Sequence, residues 1–404
     1  MTADNPQARR WPWWWAFALL FAVQFLSGAV MQPQRSLFPV YGQTDMAYSA
    51  FLIAMLSSLR QGLGILAAPV GGALADTFGD RWTLILGVTE LIAGAFVFLT
   101  HSSALVILFW TYSGFAAGVR TIGSQGYLIT AVRSELLGSF SGLYNLSMTL
   151  GGALASAGAG PLVDMRGFAA FGWALLSMAA VALAAAWALP RTGQRTQATR
   201  SNWRATLSGY GDLIRRPPIL IIALLRFLPT CYWGVALVFI PLWLYNLSHS
   251  ATVVAFYGTV SMVVASAAQW GVGYLADRVG RRVPTIAAAM GVVISAVGLA
   301  SLDLWGASVG AIYVLGTIGA AAAWSLSVLM PCLVAEVAAV EERGRVLGWL
   351  HLLWNAAMLV GSLLGGALFA LSAGAPFLAT GLLNAATVVL AVLFFRRLSR
   401  PLAR

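Results

Sequence analysis

Lysine is absent from this 404-residue chain, and the side chains that usually carry chemistry are scarce: two cysteines, three histidines and thirteen acidic residues. Cys231 and Cys332 each fall inside an apolar run. They make neither a disulfide framework nor a metal cluster and read as small apolar fillers. No phosphate-binding loop, metal-ligand cluster or nucleophile–base–acid set can be assembled, so the sequence reads as a non-enzyme that needs no cofactor and no metal. Charge is equally thin, at 9% of residues against 60% hydrophobic ones, and the mean hydropathy is +0.82. A soluble domain of this length cannot hide that much apolar surface, so its solvent must be lipid. The first apolar run, from Trp13, is too long for a cleavable signal and reads as a span.

What the chain has in quantity is long apolar runs. Twelve of 18 or more residues lie near 13–41, 47–71, 83–100, 104–130, 139–161, 168–189, 218–246, 252–275, 283–302, 306–334, 345–371 and 375–395. The expectation is an all-α integral membrane protein. All 24 basic residues are Arg, and with both termini cytoplasmic 19 of them fall on the inner side, whereas Arg35 and Arg166 fall on or near the outer side. This is the positive-inside pattern, so the +11 formal charge describes topology and gives no reason to expect nucleic acid as a partner. The divisions are a first half at 1–189, a cytoplasmic linker at 190–217 and a second half at 218–404. Within the linker, Asn202 to Ile214 places Trp203, Leu207, Tyr210 and Ile214 near one face of a short interfacial helix or forms a plain solvated connection.

One short motif occurs twice, 201 residues apart. The first copy runs Gly72-Ala-Leu-Ala-Asp76-Thr-Phe-Gly79-Asp80-Arg81, and the second Gly273-Tyr-Leu-Ala-Asp277-Arg278-Val-Gly280-Arg281-Arg282. Each follows a long apolar run and precedes another, so the chain is an internal repeat of the parallel kind. Phe38-Pro39 and Ile240-Pro241 align at a similar offset, as do Gln24-Phe-Leu and Arg226-Phe-Leu. The motif G-x-L-A-D-x-x-G-x-R, between the second and third spans of each half, resembles the signature of the major facilitator superfamily, with the subfamily unassigned. That resemblance implies twelve transmembrane helices in two pseudo-symmetric six-helix bundles and a secondary transporter working by alternating access in the bacterial inner membrane, as a monomer. It also implies that Asp76 with Arg81, and Asp277 with Arg281 or Arg282, form a conformational latch. Asp80 stands where the family often has a basic residue, which leaves Arg81 to carry the first copy's charge. The other reading of these arginines is that they only enforce topology.

The sharper signal is charge inside the spans. Arg60, Glu90, Arg120 and Arg226 sit some 7–12 residues from the cytoplasmic ends of their runs, or ~10–18 Å deep at ~1.5 Å per residue. With Gln24 they suggest one polar layer. Such groups cost several kcal/mol each unless they are paired or line a wet cavity. The resemblance places spans one, four, seven and ten around a central cavity, which makes Gln24, Arg120 and Arg226 cavity candidates, Arg60 intermediate and Glu90 peripheral. Glu90 and Arg120, on adjacent helices at one depth, alternatively neutralise each other. Arg keeps its proton, so Arg60 and Arg226 bind anions rather than carry protons. Trp324 and Asn355, well away from span ends, are the better cavity residues among the aromatic and amide side chains. For coupling to a proton or counter-solute, Glu90 and Glu336 are the candidates, with His351 near them in the sequence of possibilities.

These residues support a carrier for a small organic anion or amphipathic acid. The alternative is a proton-coupled exporter of drugs or lipid-like compounds. Gly160-Pro161-Leu-Val-Asp164-Met165 keeps the Gly-Pro of the exporters' G-P-x-x-G-G element but loses its final glycines, and Arg120 precedes Gln125-Gly126 by a longer gap than usual. A non-transporting membrane sensor is the third class, and it would have little need of two latch motifs.

Overall fold

A computed structural model describes residues 13–132, 137–190, 216–339 and 342–398. The linker segment Asn202 to Ile214 lies outside the described residues, as do Arg9, Arg10, Arg133, Arg400 and Arg404. Every described element is helical, as expected where no water is available to satisfy backbone N–H and C=O groups. In chain order the helices are α1 Trp13–Thr44, α2 Ala50–Phe78, α3 Asp80–Val97, α4 Ser103–Ala131, α5 Leu137–Ala188, α6 Pro217–Ser248, α7 Ala251–Val279, α8 Arg282–Trp305, α9 Val309–Val337, α10 Arg343–Phe369 and α11 Ala375–Leu398.

Ten of these are long and apolar enough to cross a membrane. α5 has 52 residues, ~78 Å at ~1.5 Å per residue, more than twice a hydrocarbon core. It breaks at Gly167, whose φ of 77° and ψ of 175° suit glycine alone, so two spans run through it. α3 is the short one, at 18 residues, and begins on Asp80. Counting both arms of α5 and α3, the chain makes the twelve spans expected.

The described residues divide into two compact units. The first holds 13–47, 59–190 and 250–259, and the second 48–58, 216–249 and 260–398. The first turns of α2 therefore belong with the second unit, and the first turns of α7 with the first. In the first unit α1 packs mainly on α5 and α3 on α4; in the second, α6 packs on α10, α11 and α9, and α8 packs on α9 and α11. The helix ends flanking Gly79 and Gly280 carry the repeated loop motif and are called the basic ends below; the opposite ends are the far ends.

Candidate functional site

In the first unit the charged layer is built on a close helix approach. A Cβ at Gly87 would stand 2.3 Å from the Arg120 backbone, so only glycine lets α3 and α4 meet there. Glu90 lies three residues further along α3. Its Oε1 accepts from Arg120 Nε at 2.6 Å, with both side chains almost fully buried. Arg120 Nη1 donates to Gln24 Oε1 at 3.0 Å and Nη2 reaches Met31 Sδ at 3.1 Å, while Gln24 Nε2 contacts Met148 Sδ at 3.3 Å. Glu90 Oε2 is buried and accepts no hydrogen bond among the described residues. Arg120 thus has its charge met inside the unit. Gly87→Ala should destabilise the protein by roughly 1–3 kcal/mol, because its methyl group meets backbone rather than a movable side chain. A thermal-unfolding comparison in detergent measures the loss.

Arg60 sits at a different level. α2 runs seven residues beyond the predicted span, to Phe78, which places Arg60 ten residues from the far end and well removed from the basic end. The single layer expected from the sequence is therefore two levels. Arg60 is buried, donates from Nε to Ser113 Oγ at 3.0 Å, and lies over the Trp110 ring at 4.6 Å. Trp110 is itself stacked on Phe38 at 3.7 Å. Arg35, nine residues before the end of α1, shares this level and lies within electrostatic range of Arg60, Glu90 and Arg120. The sequence alone places Arg35 on or near the outer side.

The second unit gathers Arg226, Thr230 and Trp233 on one face of α6, at i, i+4 and i+7. Trp324 and Ser327 come from α9, and His351, Trp354 and Asn355 from α10. Thr230, Trp233, Ala323, Trp324, Ser327 and Trp354 line a narrow recess. Arg226 Nη1 donates to Ser327 Oγ, and its guanidinium stands 5.9 Å from the Trp354 ring centroid. Trp233 and Trp324 meet edge to face at 6.0 Å, and His351 stacks on Trp354 at 5.7 Å. Asn355 is buried and donates to the His351 carbonyl at 2.9 Å. No carboxylate pairs with Arg226 among the described residues. The site thus combines a retained positive charge, a hydroxyl and three indole rings. Sequence reasoning missed Ser327, which carries no signal until α6 and α9 are set side by side.

At the basic ends the motif residues make mixed contacts. Asp76 and Asp277 are exposed and form no hydrogen bond or ion pair among the described residues. Arg81 Nη2 donates to the Trp187 carbonyl at 2.6 Å, near the end of α5, where unsatisfied carbonyls and the helix dipole favour a cation. Arg281 Nη1 donates to Glu336 Oε1 at 2.7 Å and to the Cys332 carbonyl at 2.9 Å, so the Glu336 coupling candidate is engaged by a latch candidate. Arg282 is exposed. Nearby, Glu342 takes a two-pronged contact from Arg216 at 2.7 and 3.1 Å and a third from Arg345 at 3.1 Å. The hydrogen bonds from Arg216 hold its carboxyl below the ordinary value.

At the far end of the first unit, Asp164 caps the start of α7 from outside that helix. Its oxygens accept from Ser250 Oγ at 2.7 Å, Ala251 N at 2.7 Å and Thr252 N at 2.9 Å. These are donors that a helix N-terminus leaves unsatisfied. Partial burial pushes the Asp164 carboxyl up, but the bonds from Thr252, Ser250 and Ala251 outweigh it and hold the pKa below 3.8. A depressed carboxylate contributes stability above its ordinary pKa and loses it as pH falls through the depressed one. Asp164→Ala should therefore cost about 0.5–2 kcal/mol at pH 7. Melting temperatures taken from pH 7 down to pH 3 should show the difference between variant and parent shrinking only below pH 4.

A family model described as Major Facilitator Superfamily matches residues 20–331. Among curated relatives, the tetracycline resistance protein class G of Vibrio anguillarum is 31% identical over 149 residues, which is 37% of this chain and 35% of that protein. The class C protein of Escherichia coli is 31% identical over 144 residues, 35% of this chain and 34% of that protein. The chain thus matches about a third of the length of these relatives. Among solved structures, a POT family transporter in complex with a thioalcohol-conjugated peptide superposes with a TM-score of 0.77 at 12% identity, covering 95% of this chain and 96% of that one. A bacterial homologue of the human lysosomal transporter Spinster, inward-facing and occupied, gives 0.74 at 14% identity over 99% and 100% of the two chains. The nucleoside transporter NupG gives 0.74 at 16% identity over 95% and 100%. These structural likenesses concern the fold alone, and the family model covers about three quarters of the sequence. The chain is an integral membrane protein that belongs to the Major Facilitator Superfamily.

Proposed function

We propose that this transporter carries a small organic anion or amphipathic acid by alternating access, with Arg226 as its main recognition group. The observation that carries this reading is the Arg226 recess. A guanidinium with no acid partner among the described residues is held by Ser327 and stands 5.9 Å from the Trp354 ring, and these two residues line the recess with Trp233 and Trp324. A planar guanidinium presents paired N–H donors to a carboxylate, and indole faces accept an apolar or aromatic body. Asp76 with Arg81, and Asp277 with Arg281 and Arg282, remain the proposed latch, with units at 1–189 and 218–404 joined by 190–217. The cell inner membrane, cytoplasmic termini and a monomeric state complete the proposal. Glu90 is its coupling candidate, as a buried carboxylate whose Oε2 has no hydrogen-bond partner among the described residues. Glu336, tied to Arg281, is better placed to couple latch opening than to meet the solute.

A second reading, a proton-coupled exporter of drugs or lipid-like compounds, is favoured by the tetracycline resistance relatives. A thermal-shift screen of the purified protein separates the two, because a ligand that prefers the folded state raises its melting temperature. Stabilisation by aromatic carboxylates or phosphorylated compounds, lost in Arg226→Gln, supports the anion carrier. Stabilisation only by hydrophobic cations, tetracycline or lipids moves the assignment to the exporter.

A further inference from the structure

The tryptophan-lined recess leaves unexplained a second group of cations, at the far-end level of the first unit. From Leu19 to Tyr41, α1 is buried or half-buried at every position except one, and that exposed residue is Arg35. Its sequence neighbours Gln34 and Ser36 are both buried. Arg35 is thus the position at which this stretch of α1 is open to a probe. Its charge is felt by buried groups: Glu90 and Arg120 act on Arg35, and Arg35 acts on Arg60 ahead of Glu90.

The arginines at this level are short of acid. Glu90, the acid within electrostatic range, belongs to the other level and is held there in the ion pair with Arg120. Arg60 is fixed through Nε to Ser113 and by its stack on Trp110, which leaves both of its terminal nitrogens without a partner among the described residues. Arg35 makes no hydrogen bond or ion pair among them. Phe38, one turn along α1 from Arg35, stacks on the ring that Arg60 covers, so the Phe38–Trp110 pair links Arg60 to the turn of α1 that carries Arg35. They also sit at matching depths, nine and ten residues from the far ends of α1 and α2. Arginine does not shed its proton, and two like charges in a weakly polarisable interior repel. An anion held by both would relieve the repulsion and occupy unused donors.

We propose that Arg35 and Arg60 form an anion-binding position in the first unit, additional to the Arg226 recess, that takes one carboxylate, phosphate or inorganic oxyanion. Arg60 is the pre-positioned half, clamped by Ser113 and Trp110. Arg35 is the accessible half that meets the arriving anion. The inference stands whether or not Arg226 recognises the transported solute, since a free inorganic anion satisfies the same donors as a solute's own carboxylate.

The test is residue-resolved labelling of the intact protein in detergent with phenylglyoxal, which modifies accessible guanidinium groups, read by peptide mass spectrometry. Sulfate, inorganic phosphate and benzoate are the probes. Protection of Arg35 by at least one of them at millimolar concentration is the expected result. Protection by sulfate or phosphate identifies a free-anion site, and protection by benzoate alone identifies a place for a solute's carboxylate. The concentration needed should rise about tenfold or more in Arg60→Gln and stay unchanged in Arg226→Gln. Melting profiles verify that each variant is folded; should Arg60→Gln fail to fold, Ser113→Ala, which only unclamps Arg60, should raise the concentration severalfold. Labelling of Arg35 at one rate with and without all three anions would overturn the proposal. So would equal protection in the parent and in folded variants at Arg60 and Ser113.

Discussion

Replacing Arg226 with glutamine is expected to weaken binding of an anionic solute by about ten- to a hundredfold while leaving folding intact. The estimate follows from the loss of a charge-assisted contact, worth about 1.5–3 kcal/mol. Folding should survive because Arg226 holds no carboxylate. Its ties are to Ser327 and the Trp354 face, and glutamine still reaches toward a hydroxyl. Arg226→Lys keeps the charge but loses the planar fork, so it should recover only part of the affinity. Calorimetric titration of the purified variants with an aromatic carboxylate is the readout, and equal affinity in parent and Arg226→Gln would remove Arg226 from the site.

The second large effect is on stability. Glu90→Ala should destabilise the first unit by about 3–5 kcal/mol, because it strands the Arg120 guanidinium at a position only 3% exposed. Gln24 and Met31 remain as partners, but neither carries a charge. Removing both members, as Glu90→Leu with Arg120→Leu, should recover most of the loss, since the cost lies in the uncompensated charge rather than in the missing pair. Thermal unfolding of the two single variants and the double variant tests this. A double variant as unstable as Glu90→Ala would mean that the ion pair itself holds α3 to α4.

The architecture was legible because membrane insertion constrains sequence so heavily. Long apolar runs, a repeated loop motif and one-sided arginines each reported the same twelve-span arrangement. Glu90 and Arg120 could be matched because both lie close to the basic ends, where the loop motif pins the count of residues. Arg60 could not, since the apolar run of α2 ends near Gly71 while the helix continues to Phe78 through the motif itself. That difference moves Arg60 by two turns and reveals Arg35 as its neighbour in level. Ser327, Trp110 and Asp164 were illegible for another reason. Each acts through the rotation of one helix against another, and a single chain's hydropathy does not encode which face of α9, α4 or α5 turns toward a given partner. Asp164 even read as a defect in an exporter element, whereas in the structure it supplies the cap of α7.

The most direct measurement of the central claim is uptake into proteoliposomes containing the purified transporter. A radiolabelled aromatic carboxylate and a radiolabelled hydrophobic cation would be offered in parallel, with empty liposomes and Arg226→Gln as controls. Saturable uptake of the carboxylate, absent from empty liposomes and reduced at least tenfold in Arg226→Gln, is the predicted result. Saturable movement of the cation alone, at equal rates in the parent and in Arg226→Gln, would contradict it.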